Sequence, residues 1–375
     1  MEMEMESLNT PALLLDVEIV QRNAERMRRR ADALGVSLRP HAKTHKCVEV
    51  ARLQTKGCSG GLTVSTLAEA EMLAAGGITD ILYAVPVDPG KFDRSIDLSR
   101  RCSSLSLLTD SLEIATGLND SARRAGVILP VFVKIDCGYH RCGVDPDSDE
   151  VLRIASFLQD SSHLRFHGIL THAGQSYACR NPSETLDVAR HERDVMVGCA
   201  DRLRMVGLQI PVVSIGSTPT MMQVDHLQGI DEIRPGNYIF FDEFQAARGN
   251  CKLEDCALSV LTAIIHIDRV RHRIVVDAGA IALSKDHGPI DVHPSAGFGR
   301  VVDIQGNDLH LNVSTLSQEH GEIDDVPDHL FDDLKIGSRL RVMANHSCLT
   351  AAQHSQYNVL EGDRIVDRWQ IHRGW

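Results

Sequence analysis

The chain has 375 residues, of which 43% are hydrophobic and 24% charged, a composition typical of a globular protein with a substantial core. A formal net charge of −12 and a pI of about 5.8 argue against a nucleic-acid surface. The ten cysteines include no C-x-x-C pair, and the acidic segment 1–6 lacks the apolar stretch of a signal peptide. No apolar run is long enough to span a membrane, so we expect a cytoplasmic protein with reduced thiols.

Strand and helix patterns alternate through the first two thirds of the chain. The apolar run 10–16 predicts a strand and 17–34 predicts a helix, which Gly35 ends. Further strands are predicted at 36–39, 61–64, 80–84, 104–108, 130–136, 164–172, 212–215 and 232–241, and further helices at 48–54, 66–75, 111–125, 149–159 and 184–206. About eight such units are typical of an α/β fold with a closed (β/α)8 TIM-type barrel, and a doubly wound open sheet is the alternative.

The pattern changes near residue 250, where apolar segments follow one another without long helices between them. Segments at 258–268, 273–277, 300–304, 308–313 and 339–344 predict strands of a second, all-β domain. We therefore predict a barrel at 17–248 and a C-terminal β-domain at 249–375, which strand 9–16 joins.

One lysine lies between two histidines directly after the predicted strand 36–39, in the segment Pro-His-Ala-Lys-Thr-His at 40–45. Enzymes with parallel strands keep their chemistry at the carboxyl ends of those strands. A lysine that is desolvated there has a lowered pKa and can form a Schiff base through its amine. A solvated basic loop is the alternative interpretation, since most lysines are exposed.

This segment resembles the Pro-His-x-Lys-Thr-His motif of fold-type III pyridoxal-phosphate (PLP) enzymes. It is most similar to the D-threonine aldolase and eukaryotic-type D-serine dehydratase family, whose barrel is shared with alanine racemase. The resemblance covers the chain from residue 10 to about 360. It implies that PLP is the cofactor, that Lys43 holds it and that His41 lies beside it.

The segment Gly-Ser-Thr-Pro at 216–219 is the second specific feature of this resemblance. Small residues and hydroxyls at a strand end suit a phosphate group, so Gly216, Ser217 and Thr218 are candidate phosphate ligands. An ordinary helix cap is the alternative. The segment Arg-Pro-Gly-Asn-Tyr at 234–238 resembles the family's Arg-Pro-Gly-x-Tyr, and it adds Gly236, Asn237 and Tyr238 to the predicted cofactor ligands.

Two further strand ends resemble segments of the family. Arg141 stands in an Arg-x-Gly context after strand 130–136, which implies a place near the PLP ring or a substrate carboxylate; a structural ion pair is the alternative. The segment His-Ala-Gly-Gln-Ser-Tyr at 172–177 resembles the family's His-Ala-Gly-x-Ser-Tyr. We expect His172 near the cofactor and Tyr177 near both cofactor and substrate.

The β-domain carries a candidate metal site at His346 and Cys348. In an extended chain these side chains would point to the same side, and imidazole with thiolate suits Zn²⁺ best and Mn²⁺ less well. The segment resembles the family's metal-binding His-x-Cys, whereas a buried cysteine beside a histidine is the alternative. Glu319 and His320 resemble the family's Glu-His-Gly segment, which implies a role in positioning substrate or in proton transfer.

The resemblance implies a homodimeric lyase that acts on D-β-hydroxy-α-amino acids. We expect an aldolase that releases glycine and an aldehyde, because segment 344–354 looks more like the aldolase branch. A D-serine or D-3-hydroxyaspartate dehydratase, which releases ammonia and a 2-keto acid, is the alternative. A racemase ranks third, since Tyr357 is the one tyrosine available in the predicted β-domain as a second base. A non-catalytic PLP-binding protein of this barrel type is a further alternative, but such proteins lack the β-domain and the metal pair.

Overall fold

A computed structural model describes residues 3–58 and 61–375 of the chain. Two compact units are present. The barrel unit consists of Arg26–Lys43, Ala51–Gly236 and His372–Trp375, and the β unit of Met1–Glu25, Thr44–Val50 and Asn237–Ile371. The domain boundaries at 17–248 and 249–375 stay a prediction.

The strands are β1 (Met3–Glu4), β2 (Ala12–Asp16), β3 (Ser37–Leu38), β4 (Leu62–Val64), β5 (Asp80–Pro86), β6 (Ser104–Thr109), β7 (Leu129–Lys134), β8 (Leu164–Leu170), β9 (Val213–Ile215), β10 (Glu232–Ile233), β11 (Leu258–Asp268), β12 (Arg273–Val276), β13 (Arg300–Val302), β14 (Asp308–Asn312), β15 (Thr315–Leu316), β16 (Gly321–Ile323), β17 (Arg339–Met343), β18 (Gln356–Glu361) and β19 (Arg364–Gln370). The helices are α1 (Val17–Leu34), α2 (Val48–Thr55), α3 (Leu67–Ala75), α4 (Phe92–Ser99), α5 (Leu112–Ala125), α6 (Asp149–Asp160), α7 (Pro182–Met205), α8 (Thr218–Gln223), α9 (Glu243–Ala247), α10 (Ala280–Leu283), α11 (Leu330–Asp333) and α12 (Ser347–Gln353).

The barrel unit is built on one parallel sheet. Within residues 3–58 and 61–375 this sheet has eight strands in the order β3-β10-β9-β8-β7-β6-β5-β4. Its two end strands meet, because His41 forms a parallel bridge with Thr63 and the Thr63 N–H donates to the Pro40 carbonyl at 2.9 Å. The predicted fold class, an α/β barrel followed by a β-domain, is confirmed.

Local sequence explains the barrel's elements. Strand β7 is buried at every position, as its run of Leu, Pro, Val, Phe and Val requires of a strand covered on both faces. Thr66 caps α3, Ser111 caps α5, and Asn181 caps α7, whose first residue is Pro182. Each cap satisfies an amide that the helix leaves without a partner.

The predicted strand at 232–241 is wrong beyond its first two residues. Strand β10 ends at Ile233, and Asn237–Ile239 forms a 3-10 turn. Pro235 and Gly236 lie between them, and a proline cannot donate to a strand ladder while a glycine weakens one.

The β unit contains a mostly antiparallel sheet, in which β2 lies parallel to β18 and antiparallel to β11. One face carries a buried cluster made of Met5, Leu8, Ala12, Leu14, Leu261, Leu360 and Ile365. Burying a large aliphatic side chain is worth roughly 1.5–3 kcal/mol, so this cluster fastens the N-terminal strand to the sheet. In the part of the chain that the structure describes, no helix is long and apolar enough to cross a membrane.

Candidate active site

Lys43 lies in a 3-10 turn, Ala42–Thr44, that follows β3. The Lys43 N–H donates to Nδ1 of His41 at 3.3 Å, and Nε2 of His41 lies 3.3 Å from the Ser65 hydroxyl. The His41 N–H in turn donates to the Pro235 carbonyl at 3.0 Å. His41 therefore fixes the backbone that presents Lys43, and Lys43 itself is only partly buried.

His172 follows β8 and lies between two tyrosine rings. Its ring centroid is 6.4 Å from that of Tyr139 and 6.4 Å from that of Tyr177. Burial, followed by the charges of nearby cations beginning with Lys43 and Lys134, holds the pKa of His172 well below its usual value. The imidazole is therefore neutral at pH 7.

Arg141 belongs to an exposed loop that follows β7. The Asp136 carboxylate orders this loop, since its Oδ1 accepts the N–H groups of Gly138, Tyr139 and His140 at 3.0–3.1 Å. The Arg141 guanidinium lies over the Tyr139 ring, 5.1 Å from its centroid. Sequence analysis assigns no role to Tyr139, although its ring lies beside that of His172.

Gly216 follows β9 with a φ of +108°, a conformation that favours glycine. A Cβ there would lie 3.1 Å from Cγ of Met221. Its N–H donates to Oε1 of Glu192 at 3.1 Å, so this amide already has a partner.

Ser217 caps α8. Its hydroxyl accepts the Thr220 N–H at 3.3 Å, and its own N–H donates to the Thr220 hydroxyl at 3.0 Å. The Ser217 hydroxyl also lies 2.9 Å from that of Ser176. Thr218 is the first residue of α8 and is buried. The helix cap that the sequence left as an alternative is thus present, and it presents the hydroxyls predicted to bind phosphate.

The segment 236–238 is buried throughout. The Asn237 amide donates to the Asp242 carboxylate at 2.7 Å and lies 3.8 Å from Sγ of Cys348. Asn237 thus contacts the candidate metal pair in the β unit, a neighbour that the sequence did not predict. The fully buried ring of Tyr238 lies in the β unit too.

His346 and Cys348 lie at the start of α12. The extended conformation holds for His346, which is the N-cap residue, but it is wrong beyond it, because Ser347–Gln353 is helical. The two side chains nevertheless lie close enough for each to shift the pKa of the other. Nδ1 of His346 lies 2.8 Å from Oδ2 of Asp286, and Sγ of Cys348 lies 3.3 Å from the Thr44 hydroxyl.

These contacts shift the pKa values of His346 and Cys348 in opposite directions. Burial disfavours a charged His346, but its contacts with Asp286 and Cys348 outweigh burial and raise its pKa to about 11. Burial also opposes a Cys348 thiolate, yet the His346 contact holds the thiol pKa below its usual value. Once a cation displaces the imidazole proton, a thiolate and an imidazole braced by a carboxylate form a donor set that suits Zn²⁺.

Among residues 3–58 and 61–375, no group of three or more His, Cys, Asp or Glu side chains has the arrangement of a metal site. The prediction from sequence names two protein ligands. Asp286 contacts His346 through the ring nitrogen Nδ1, which leaves Nε2 of the imidazole for a cation.

Asp242 is a neighbour of this pair that the sequence missed. It is buried, it caps α9, and its Oδ2 accepts the Ser347 N–H at 3.0 Å. Burial raises the pKa of Asp242, while the charge of His346 acts against that change. The Asp-x-x-Gln spacing of Asp242 and Gln245 is a capping signature that would have located the helix start, but nothing local points to Ser347.

Glu319 and His320 are both exposed. A Cβ on Gly279 would lie 2.5 Å from the His320 nitrogen, so the segment Asp-Ala-Gly at 277–279 packs directly on Glu319 and His320. The first residue of that segment, Asp277, accepts the Thr10 hydroxyl at 2.6 Å and the Thr262 hydroxyl at 2.7 Å. Asp277 therefore ties the N-terminal segment to the sheet of the β unit.

Tyr357 is fully buried, and its hydroxyl donates to the His45 carbonyl at 2.7 Å. Burial raises its pKa well above the usual value. A tyrosine in this state is a poor proton acceptor, which weakens the racemase alternative.

The side chains of the barrel unit fit PLP. A lysine amine stands after one strand, a neutral imidazole after another, and hydroxyls beside a glycine with positive φ after a third. These groups match the aldehyde, the ring and the phosphate of the cofactor in turn.

Two family models together match most of the chain. The alanine racemase N-terminal domain matches residues 15–243 and the putative serine dehydratase domain matches residues 257–360. D-threo-3-hydroxyaspartate dehydratase of Delftia sp. (strain HT23) is 40% identical over 98% of both chains. The chain belongs to this family of fold-type III PLP enzymes. The expectation of a PLP-dependent lyase is confirmed.

Other members of the family are also similar to the chain. D-serine dehydratase of Dictyostelium discoideum is 36% identical over 99% of this chain and 98% of its own. D-threonine aldolase of Arthrobacter sp. is 28% identical over 97% of this chain and 92% of its own. The structure of the Delftia dehydratase superposes with a TM-score of 0.94 and 39% identity, covering 99% of this chain and 100% of that one. Two further structures are of D-threo-3-hydroxyaspartate dehydratase mutants, one with a histidine-to-alanine change and one, in a metal-free form, with a cysteine-to-alanine change two residues further along.

Proposed function

We propose that the chain is a PLP- and divalent-metal-dependent dehydratase of D-β-hydroxy-α-amino acids, with D-3-hydroxyaspartate and D-serine as its substrate class. The observation that carries this proposal is the 40% identity to a D-threo-3-hydroxyaspartate dehydratase over 98% of both chains. The dehydratase, which was the alternative in the sequence analysis, thereby takes first place.

A D-threonine aldolase-like lyase is the second candidate. The 28% identity to D-threonine aldolase over 97% of this chain and the form of segment 344–354 favour it. Both reactions begin with the same substrate class, but they break different bonds. Dehydration breaks the Cα–H and Cβ–O bonds, whereas the aldolase reaction breaks the Cα–Cβ bond.

In the barrel unit, Lys43 would hold PLP covalently, with Ser217 and Thr218 at its phosphate and His172 beside its ring. When bound, PLP supplies an electron sink for negative charge at the substrate Cα. Lys43, which is released when the substrate amine takes its place, would then remove the Cα proton as a general base. The neutral His172 places no further positive charge beside the lysine amine.

In the β unit, His346 and Cys348 would hold the cation, which supplies Lewis acidity to a substrate hydroxyl. Asp286 supports this role, since it contacts the imidazole at 2.8 Å and fixes its orientation. The positions mutated in the two D-threo-3-hydroxyaspartate dehydratase structures have the same residue types and the same spacing as His346 and Cys348. We also propose that the chain forms a homodimer, which size-exclusion chromatography with light scattering would test.

The experiment offers purified, PLP-loaded protein D-threo-3-hydroxyaspartate, D-serine and D-threonine, and measures ammonia, 2-keto acid, glycine and aldehyde. A dehydratase yields ammonia and keto acid in equal amounts, and EDTA reduces the rate. Lys43→Ala abolishes both the rate and the PLP absorption band, whereas Lys56→Ala, which changes an exposed lysine, keeps them. Glycine and aldehyde without ammonia would establish the aldolase instead. A protein that binds no PLP overturns both proposals.

A further inference from the structure

Glu192 is a charged residue on the buried face of α7. That face is otherwise formed by uncharged side chains, namely Thr185, Ala189, Met196, Cys199, Ala200 and Leu203. Glu192 has no exposed surface. A carboxylate is rarely kept in such a place unless it has partners, because burial disfavours its charge.

Its partners are two backbone amides from different loops. Oε1 of Glu192 accepts the Ala173 N–H at 3.0 Å and the Gly216 N–H at 3.1 Å. Ala173 follows His172 directly in the loop after β8, and Gly216 precedes Ser217 in the loop after β9. One oxygen atom therefore joins the loop of the cofactor-ring histidine to the loop of the phosphate hydroxyls.

Other groups support the carboxylate without replacing these two contacts. Burial raises the pKa of Glu192, while the two amides and the charge of Arg234 act in the opposite direction. Its second oxygen, Oε2, has no hydrogen-bond partner at bonding distance within the described ranges. The hydrogen-bonding function of Glu192 is thus concentrated on Oε1.

We propose that Glu192 is a positioning residue for PLP binding, which holds the His172 loop and the Gly216 loop at a fixed separation through a single carboxylate oxygen. The inference rests on the proposed function, since it assumes that these loops receive the cofactor. It also implies that the Gly216 amide is a structural contact and does not serve as a phosphate donor.

The geometry predicts a specific order among substitutions. Glu192→Gln keeps a carbonyl oxygen that can accept both amides, and its NH₂ group takes the place of Oε2, where no hydrogen bond is lost. Glu192→Leu preserves the volume but leaves two buried amides without an acceptor, which costs as much as lost hydrogen bonds. Glu192→Asp keeps the charge but is one methylene too short to reach both loops.

The test measures the dissociation constant of PLP from apoprotein by absorbance titration, and hydrogen exchange of segments 171–177 and 214–220 in the apoprotein by mass spectrometry. We expect Glu192→Gln to bind PLP within about threefold of wild type, and Glu192→Leu and Glu192→Asp at least about tenfold more weakly. Exchange in both segments should be faster in the Leu and Asp variants. Asp187→Leu, an exposed change on the same helix, is the matched control.

Two outcomes overturn the proposal. Unchanged PLP affinity in Glu192→Leu shows that the loops need no such contact, and equal weakening in the Gln and Leu variants shows that the charge matters rather than the positioned oxygen. If Glu192→Leu does not fold, the contrast between the Gln and Asp variants decides the same question. Wild-type protein that binds no PLP overturns the proposed function itself, whereas wild-type binding with unaffected variants overturns only the role of Glu192.

Discussion

Lys134 is the last residue of β7, and 5% of it is exposed. Burial, followed by the charge of Arg234, lowers its pKa from 10.5 to about 8. The groups that act in the other direction are the thiols of Cys142 and Cys137, and no carboxylate is among them. At pH 7 the folded apoprotein therefore holds a buried ammonium that both burial and the Arg234 charge disfavour.

The size of this penalty follows from the pKa. Lowering it from 10.5 to about 8 corresponds to about 3 kcal/mol, at about 1.4 kcal/mol for each pH unit. Below pH 8 the lysine is protonated in both states, so the whole penalty applies. Between pH 8 and 10.5 the folded state loses its proton first, and stability rises with pH because the unfolded state binds more protons. Lys134→Met, which keeps the length of the side chain, should therefore stabilise the apoprotein by up to about 3 kcal/mol at pH 7.

Thermal unfolding of the apoprotein at pH 7 and pH 10 measures this effect. The midpoint of Lys134→Met should exceed that of wild type at pH 7, and the gain should largely disappear by pH 10. Lys56→Met, an exposed change in the same unit, should change neither midpoint appreciably. A Lys134→Met protein that is less stable at pH 7, or whose gain is the same at both pH values, would refute the assignment of a desolvated ammonium.

Three other changes test contacts described above. Asp286→Asn should lower Zn²⁺ affinity about 10- to 100-fold in chelator competition, because the imidazole of His346 loses the contact that orients it. The control Asp328→Asn, which alters an exposed Asp–His pair, should leave Zn²⁺ affinity unchanged. Equal Zn²⁺ affinities of Asp286→Asn and wild type would contradict the metal proposal. The apoprotein should lose stability between pH 7.5 and 5.5, because a histidine with a lowered pKa favours the protonated unfolded state below about pH 6.5. Replacing His172 by Phe should reduce this loss by up to about 1.4 kcal/mol per pH unit, as measured by thermal unfolding. An unchanged pH dependence would show that His172 titrates normally. Asp277→Ala should cost about 3 kcal/mol of stability in the same assay, because it leaves two hydroxyls and an amide without their acceptor. A loss below about 1 kcal/mol would mean that water replaces the carboxylate as the acceptor.

Several features of this protein follow from local sequence. The alternation of apolar strands with amphipathic helices predicts the barrel, because hydrophobic periodicity depends on residues that are close in the chain. The segments with Lys43, His172 and Ser217 all come directly after predicted strands, and parallel strands bring their carboxyl ends to one edge of a sheet. The structure places each of these residues after β3, β8 and β9, as expected.

Other features depend on residues that are far apart in the chain, and no local sequence pattern predicts them. Asp286 lies 60 residues from the histidine it contacts, and the Glu192 oxygen joins amides 19 and 24 residues away. The conformation around Cys348 was also predicted wrongly, because two ligands at i and i+2 fit a strand as well as a helix start. Burial also decides the chemical state of single residues, which the sequence does not show. It makes Lys134 a desolvated cation and Tyr357 a buried hydrogen-bond donor to the backbone.

The sequence by itself determined the order of elements, the strand ends that carry chemistry and the residue types that suit PLP and zinc. Only the tertiary structure decided which polar groups meet, which amides are already engaged and which charges lose their water. The physical reason is that periodicity and turn chemistry act within a few residues, whereas desolvation and hydrogen bonding between loops arise when distant segments pack together.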